Sequence, residues 1–145
     1  PLHAVLIAAA VADGGVMMRP FLVDAVTDAA GQVLFSSTPQ PLMQVVEPGT
    51  ARTLAEMMKN TVTQGTSRRS FQRRAKELVQ QVSVAGKTGS LTGDDPPGRY
   101  EWFIGFAPAD KPEIAVAALV VTTGEARHIK GAETAALMMK EHFRL

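Results

Sequence analysis

The sequence predicts a mixed α/β (α+β) fold in which an antiparallel sheet is flanked by helices. Apolar segments of helical length stand near the start, in the middle and at the end of the chain. Apolar runs of strand length, such as residues 102–107 and 114–122, lie between the second and third helical segments. Only the turn residues 108–112 separate these two runs, which favours an antiparallel pair over a parallel crossover.

The composition is that of an ordinary globular domain and excludes several classes of function. The 145 residues are 46% hydrophobic and 20% charged, with a net charge of +1, so one core is expected and no strongly charged partner is indicated. The absence of cysteine excludes disulfides and thiolate chemistry. Segment 68–76 is rich in arginine and lysine but contains only one aromatic residue, Phe71. A solvated face is therefore favoured, and no nucleic-acid partner is expected.

The first part of the chain predicts a helix followed by a hairpin. Residues 2–12 are almost entirely apolar and stop at Asp13-Gly14-Gly15, which predicts a buried helix ended by glycine. Residues 21–26 and 32–35 are apolar runs that flank a turn containing Gly31. This spacing predicts a β-hairpin in which glycine supplies the positive φ angle.

The middle of the chain predicts a connector and a second helix. Residues 38–41 contain two prolines and form the connector. A helix begins at Pro48, carries apolar residues at helical spacing as far as Val62, and ends near Gly65. Residues 66–80 are ambiguous and are interpreted as a loop followed by a short helix.

Three strands and a helix complete the predicted order. Residues 82–85 predict a strand that runs into Lys87, and the glycines and prolines at 91–98 predict a loop after it. Residues 114–122 are apolar on both faces, so this strand is expected to be covered on both sides. The last helix is predicted by apolar residues that recur at helical spacing and form one face. They are Ala132, Ala135, Ala136, Met139 and Phe143.

The segment around Lys87 has the composition of a phosphate-binding loop but not its spacing. That loop requires a glycine five residues before Gly86, and this chain has Gln81 there. The loop must also open a helix, whereas residues 91–98 contain two glycines and two prolines. A phosphate site is therefore excluded.

Several segments together resemble the C-terminal part of the penicillin-binding protein transpeptidase domain, which has a β-lactamase/transpeptidase-like fold. They are AGKTGS at 85–90, EWFIGFAPAD at 101–110 and IAVAALVV at 114–121. The leading segment 1–20 and TVTQGTSRR at 61–69 also resemble the family, in the same order. K-T-G alone occurs by chance in many proteins, but in register with the tryptophan strand it is specific. The pattern is most similar to class B transpeptidases.

The family has three motifs, S-x-x-K, S-x-N and K-T-G. This sequence contains K-T-G but lacks the other two. No serine is followed three residues later by lysine, and the only asparagine, Asn60, is preceded two residues earlier by Met58. The resemblance implies that both missing motifs lie upstream. We therefore expect residues 1–145 to be the C-terminal portion of a single transpeptidase domain, as the start at Pro1 also suggests. The parent is expected to be an enzyme, and the 145 residues alone to be inactive.

The resemblance implies serine acyl transfer on a peptidoglycan stem peptide that ends in D-Ala-D-Ala. Catalytic roles fall to Lys87 and Ser90, and substrate binding to Lys87, Thr88, Gly89 and Ser90. Lys87 attracts the substrate carboxylate, and the hydroxyls of Thr88 and Ser90 donate hydrogen bonds to it from one strand face. Gly89 permits close approach of substrate backbone, and the N–H of Ser90 is half of the oxyanion hole. We expect Lys87, Thr88 and Ser90 to form the anion-binding wall of a cleft at an exposed strand edge.

The expected ligands are the stem peptide and β-lactams, with no cofactor. No metal is expected because His3, His128 and His142 lack metal-ligand spacing. Trp102 is expected in the core, and Thr66 and Ser67 are expected to border the cleft. The alternatives that stay open are a D,D-carboxypeptidase or serine β-lactamase-like hydrolase, and a non-catalytic β-lactam sensor or scaffold domain.

The resemblance also implies a location and an association behaviour. The parent is expected in the bacterial periplasm, at the extracytoplasmic face of the inner membrane, held only by an N-terminal anchor outside these residues. The family's sheet has five strands, two of which precede this segment. Residues 114–122 should therefore be an unpaired apolar edge, and we expect self-association or marginal stability of the 145 residues.

Overall fold

The computed structural model describes residues 1–124 and 129–145. It confirms a mixed fold of helices and antiparallel sheets. No helix in the described part of the chain combines the length and apolarity of a membrane span. The elements in chain order are α1 (Leu2–Ala12), β1 (Val16–Met18), β2 (Ala25–Thr27), β3 (Val33–Ser36), β4 (Pro41–Gln44), α2 (Pro48–Thr63), α3 (Arg68–Arg74), α4 (Lys76–Gln81), β5 (Ala85–Asp94), β6 (Pro97–Ala107), β7 (Ile114–Thr122) and α5 (Gly131–His142).

The main sheet has the strand order β5-β6-β7, and both pairs are antiparallel. The β5–β6 register is unbroken from Ala85 opposite Phe106 to Asp94 opposite Pro97. Within the described residues, β5 and β7 each have one strand neighbour, which is β6 in both cases. The sheet therefore has two open edges with different sequences.

The loop expected at 91–98 is mostly strand. β5 continues to Asp94, and β6 begins at Pro97, so the turn is confined to the Asp95-Pro96 region. Glycine and proline exclude a helix here, but proline is tolerated as the first residue of a strand. Gly98 fits because a β-carbon there would collide with the carbonyl of Thr122. The strand expected from residue 82 begins only at Ala85.

The sequence also failed to indicate one pair of short strands. The expected connector at 38–41 ends in β4, whose first residue is Pro41 and which pairs with β1. These strands have three and four residues, which is too short for a recognisable period. The predicted β2–β3 hairpin is confirmed, and it exposes apolar side chains such as Leu34. The ambiguous segment 66–80 contains the two helices α3 and α4.

Helices cover both faces of the main sheet. On one face, Phe71 of α3 lies 5.4 Å from Phe103 of β6 between ring centroids, and Met139 of α5 is fully buried. On the other face, Phe106 packs with Met58 of α2 and with the end of α1. β7 contacts both α1 and α5, which confirms its predicted coverage.

The prediction that α1 is buried holds only in part. Ala8 and Ala10 are buried, whereas Leu2 and Ile7 are exposed.

Candidate active site

Residues 87–90 lie in the first half of β5, which is an outer strand of the main sheet. In an antiparallel pair, the backbone N–H and C=O of one residue point toward the neighbour and those of the next point away. Because β5 has a single strand neighbour in the described part of the chain, every second residue presents free backbone groups. An extended peptide could use them to add a strand.

The side chains of residues 87–90 divide between the two faces of the sheet. Register places Thr88 opposite Phe103 and Lys87 opposite Ile104, and side chains alternate along a strand. Thr88 and Ser90 therefore share the face that α3 and α5 cover, whereas Lys87 starts on the other face. The expected single wall of three side chains is wrong in this respect, because an odd spacing separates Lys87 from both hydroxyls.

The ammonium of Lys87 nevertheless stays beside the strand backbone. Its Nζ donates a hydrogen bond to the carbonyl oxygen of Thr88 at 2.6 Å. This contact places the positive charge next to the residue that carries the first hydroxyl. The cation thus lies beside the backbone of Thr88, and not on the face that carries the hydroxyls of Thr88 and Ser90.

A cleft of about 200 Å³ opens on the face that carries Thr88 and Ser90. Its polar lining consists mainly of hydroxyls and positive charges, with one acidic side chain, and a carboxylate would be favoured in such surroundings. The lining residues with these groups are Thr66, Ser70, Thr88, Ser90, Arg99, Lys130 and Glu101.

A second, more apolar cleft of about 270 Å³ lies against Lys87, Gly89 and Trp102. Both clefts are lined by Gly89 and Trp102. Trp102 is only partly buried, so the expectation that it belongs to the core is wrong. Gly89 and Trp102 face each other in the register, and the missing side chain of Gly89 leaves the indole accessible. No sequence signal distinguished this tryptophan from its buried neighbours.

The two glycines of β5 that flank Lys87 and Thr88 have different surroundings. A β-carbon on Gly86 would collide with the ring of Phe103, which is fully buried. A β-carbon on Gly89 would lie 3.5 Å from the Cβ of Trp102, an ordinary contact. Packing therefore requires glycine at position 86 but leaves position 89 free, which is consistent with a role for Gly89 toward a ligand.

The loop between α2 and α3 brings a further hydroxyl to the site. The Oγ1 of Thr66 lies 2.7 Å from the Oγ1 of Thr88. The loop is held by the end of α2, because the hydroxyl of the fully buried Ser67 donates to the carbonyl of Thr61 at 3.0 Å. Gly65 packs against the same turn so closely that an added β-carbon would lie only 2.8 Å from the Cα of Thr61. Thr66 does border the cleft, as expected. The same expectation for Ser67 is wrong, because its side chain is fully buried and bonded to the end of α2.

Buried charge fixes the start of α5 above the cleft. Glu133 is 4% exposed and lies 3.3 Å from Arg73 Nε and 3.7 Å from Arg74 Nε. It also accepts a hydrogen bond from the N–H of Lys130 at 3.3 Å. Arg73 and Arg74 nevertheless stay exposed, with side chains 54% and 38% accessible. The basic cluster at 68–76 is therefore the expected solvated face, and two of its members also pair with a glutamate distant in sequence. On β6, Arg99 Nε lies 3.6 Å from Glu101 Oε1.

Residues 1–124 and 129–145 contain no group of three or more potential metal-ligating side chains. Of the three histidines considered in the sequence, His128 lies outside the described residues.

The model of the family described as "Penicillin binding protein transpeptidase domain" matches residues 1–140. The chain belongs to this family. It is 33% identical over 141 residues to the peptidoglycan D,D-transpeptidase PbpA of Mycolicibacterium smegmatis, covering 94% of this chain and 27% of that protein. It is 29% identical over 126 residues to the stage V sporulation protein D of Bacillus subtilis, covering 80% and 18%.

Solved structures of the penicillin-binding protein family share the fold. The imipenem acyl-enzyme complex of penicillin-binding protein A from M. tuberculosis superposes with a TM-score of 0.78 at 31% identity, covering 98% of this chain and 30% of that one. The D,D-transpeptidase domain of a peptidoglycan glycosyltransferase from Eggerthella lenta gives 0.77 at 31%, covering 97% and 31%. The chain thus spans less than a third of the length of each of these relatives.

Proposed function

We propose that this chain supplies the K-T-G strand of a peptidoglycan D,D-transpeptidase site that also binds β-lactams. The observation that carries the proposal is the open edge of β5, where the ammonium of Lys87 meets the hydroxyl-bearing residue Thr88 beside a cleft lined by hydroxyls and cations. The name of the PbpA relative gives that activity. The imipenem complex of the M. tuberculosis relative, which is an acyl-enzyme, supports β-lactam binding.

The serine that attacks the substrate is proposed to lie in a segment outside these 145 residues, which contain neither S-x-x-K nor S-x-N. Its oxygen forms an ester with the carbonyl of the penultimate D-Ala, the amide C–N bond breaks, and the terminal D-Ala leaves with the proton on its nitrogen. The amine of a second stem peptide then attacks the ester. A new amide forms, and the serine regains its proton.

The residues of β5 act on this reaction through charge and hydrogen bonding. The hydroxyls of Thr88 and Ser90 hold the terminal carboxylate from their shared face, and Lys87 attracts it by the charge that its ammonium places beside the backbone of Thr88. The backbone N–H of Ser90 donates to the oxyanion that forms at the attacked carbonyl. One such donor is typically worth roughly 3–4 kcal/mol of transition-state stabilisation. The parent protein presents this site in the periplasm, at the outer face of the inner membrane.

The experiment is covalent labelling by a fluorescent penicillin. The protein that includes the upstream serine should form a stable adduct, and Lys87→Gln should slow its formation by about 10- to 100-fold because a hydrogen bond to a charged group is lost. Lys111→Gln is the matched control, since Lys111 is an exposed lysine between β6 and β7. The 145 residues alone should not be labelled.

The outcomes separate the possible activities. Equal labelling of the wild type and Lys87→Gln would overturn the role of Lys87. An adduct that hydrolyses within seconds would indicate a hydrolase instead of a transpeptidase, and binding without any adduct would indicate a sensor or scaffold. Stable labelling of the isolated 145 residues would overturn the proposal that the nucleophile lies elsewhere.

We also propose that the 145 residues alone associate through β7. Within the described residues this strand lacks a neighbour on one side, and its first eight residues are all apolar. An unpaired apolar edge readily pairs with another chain.

A further inference from the structure

We propose that Thr66 is a positioning residue that orients the hydroxyl of Thr88 toward the ligand carboxylate. The observation is the 2.7 Å distance between the two Oγ1 atoms, which belong to separate elements 22 positions apart. This inference rests on the proposed function, because it assigns a donor direction to a hydroxyl of the same site.

The direction of the hydrogen bond follows from proton counting. A threonine hydroxyl has one proton to donate and two lone pairs that accept. A carboxylate has no proton to give, so Thr88 must use its single proton on the ligand. In the contact with Thr66 the hydroxyl of Thr88 is then the acceptor, and Thr66 is the donor. Without Thr66, the proton of Thr88 is free to rotate away from the cleft.

The loop that carries Thr66 has the rigidity that such a role requires. Both the hydroxyl and the N–H of Ser67 bond to the carbonyl of Thr61, at 3.0 and 3.2 Å. The N–H of Gly65 donates to the carbonyl of Asn60 at 2.9 Å. The end of α2 therefore fixes the residues on either side of Thr66, and the β-branched side chain has few rotamers of its own.

The test is a double-mutant cycle on the protein that includes the upstream serine, read as the second-order rate of acylation by penicillin. Thr66→Val removes the donor at nearly constant volume and should lower the rate about three- to tenfold, the usual worth of one hydrogen bond. Thr66→Ser should restore the rate to within about twofold, because the hydroxyl is kept. Thr63→Val is the matched control, since this exposed threonine donates its hydroxyl to the carbonyl of Lys59 within its own helix.

The decisive arm is Thr66→Val in a Thr88→Val background. If Thr66 acts through Thr88, the second substitution should change the rate by less than about twofold, since its target is gone. Additive losses would overturn the inference in favour of a direct ligand contact or a structural role. An unchanged rate in Thr66→Val would overturn it while the proposed function stands. Failure of the wild type to acylate would overturn both.

Discussion

The two outer strands of the main sheet have the same strand environment but different chemistry. β5 and β7 each pair only with β6 among the described residues. β5 carries a lysine, hydroxyls and glycines at its open edge, whereas β7 is apolar almost throughout and contacts helices on both faces. A polar edge can exchange its hydrogen bonds with water and with a ligand, so it suits reversible binding. An apolar edge is stable only when covered, so it suits a permanent neighbour.

The comparison extends within β5, and the largest expected effect lies there. Gly86→Ala should lower the free energy of unfolding by about 2 kcal/mol, because the new methyl group overpacks against the buried ring of Phe103. Gly89→Ala, the matched control, should change it by less than about 0.5 kcal/mol, since the methyl group makes an ordinary contact with Trp102. Urea unfolding measures both.

The same pair of variants separates stability from binding. If the missing side chain of Gly89 makes room for a ligand, Gly89→Ala should slow penicillin labelling of the protein that contains the upstream serine. The urea midpoint of this variant should stay unchanged. Equal destabilisation by the two substitutions would show that β5 has no division between a packed part and a binding part.

The next effect concerns the open edge of β7. Val121→Lys should weaken self-association of the 145 residues at least tenfold, about 1.4 kcal/mol, because an ammonium at the edge must be desolvated when strands pair. Light scattering over a concentration series measures the change. Val33→Lys is the control, since Val33 is an exposed apolar residue of the β2–β3 hairpin. A larger effect of Val33→Lys would place the association at the hairpin instead of at β7. If the wild-type 145 residues stayed monomeric, the proposed self-association would be wrong.

The sequence predicted what depends on local pattern and missed what depends on tertiary contacts. α1 and β7 were predicted with their observed limits because long apolar runs end at clear glycine, proline or polar stops. The extension of β5 and β6 through 91–100 was missed, since glycine and proline there are accommodated only by the facing strand. The hydroxyls of Thr88 and Ser90 follow from alternation, but the position of the Lys87 ammonium and the pairing of Arg73 with Glu133 depend on the packed fold.

The smallest expected effect on the free energy of unfolding lies at the end of the sheet where β5 begins and where the chain turns from β6 into β7. The hydroxyl of Ser83 donates to the carboxylate of Asp110 and accepts from the N–H of Ala109 at 3.0 Å. The bond from Ser83 holds the pKa of Asp110 below its ordinary value. A lowered carboxyl pKa stabilises the fold above the ordinary value near pH 4, and this contribution is lost as the pH falls through the lowered pKa.

Ser83→Ala should therefore reduce the free energy of unfolding at pH 7, and the difference from the wild type should narrow below about pH 4 as Asp110 takes up its proton. The difference should not vanish, because the N–H of Ala109 loses the hydroxyl as one of its two acceptors at every pH and keeps the carbonyl of Ser83 at 2.8 Å. Ser36→Ala, on the exposed hairpin, is the control and should show no such narrowing. If the difference for Ser83→Ala did not depend on pH, the hydrogen bond from Ser83 to the carboxylate of Asp110 would contribute nothing to stability.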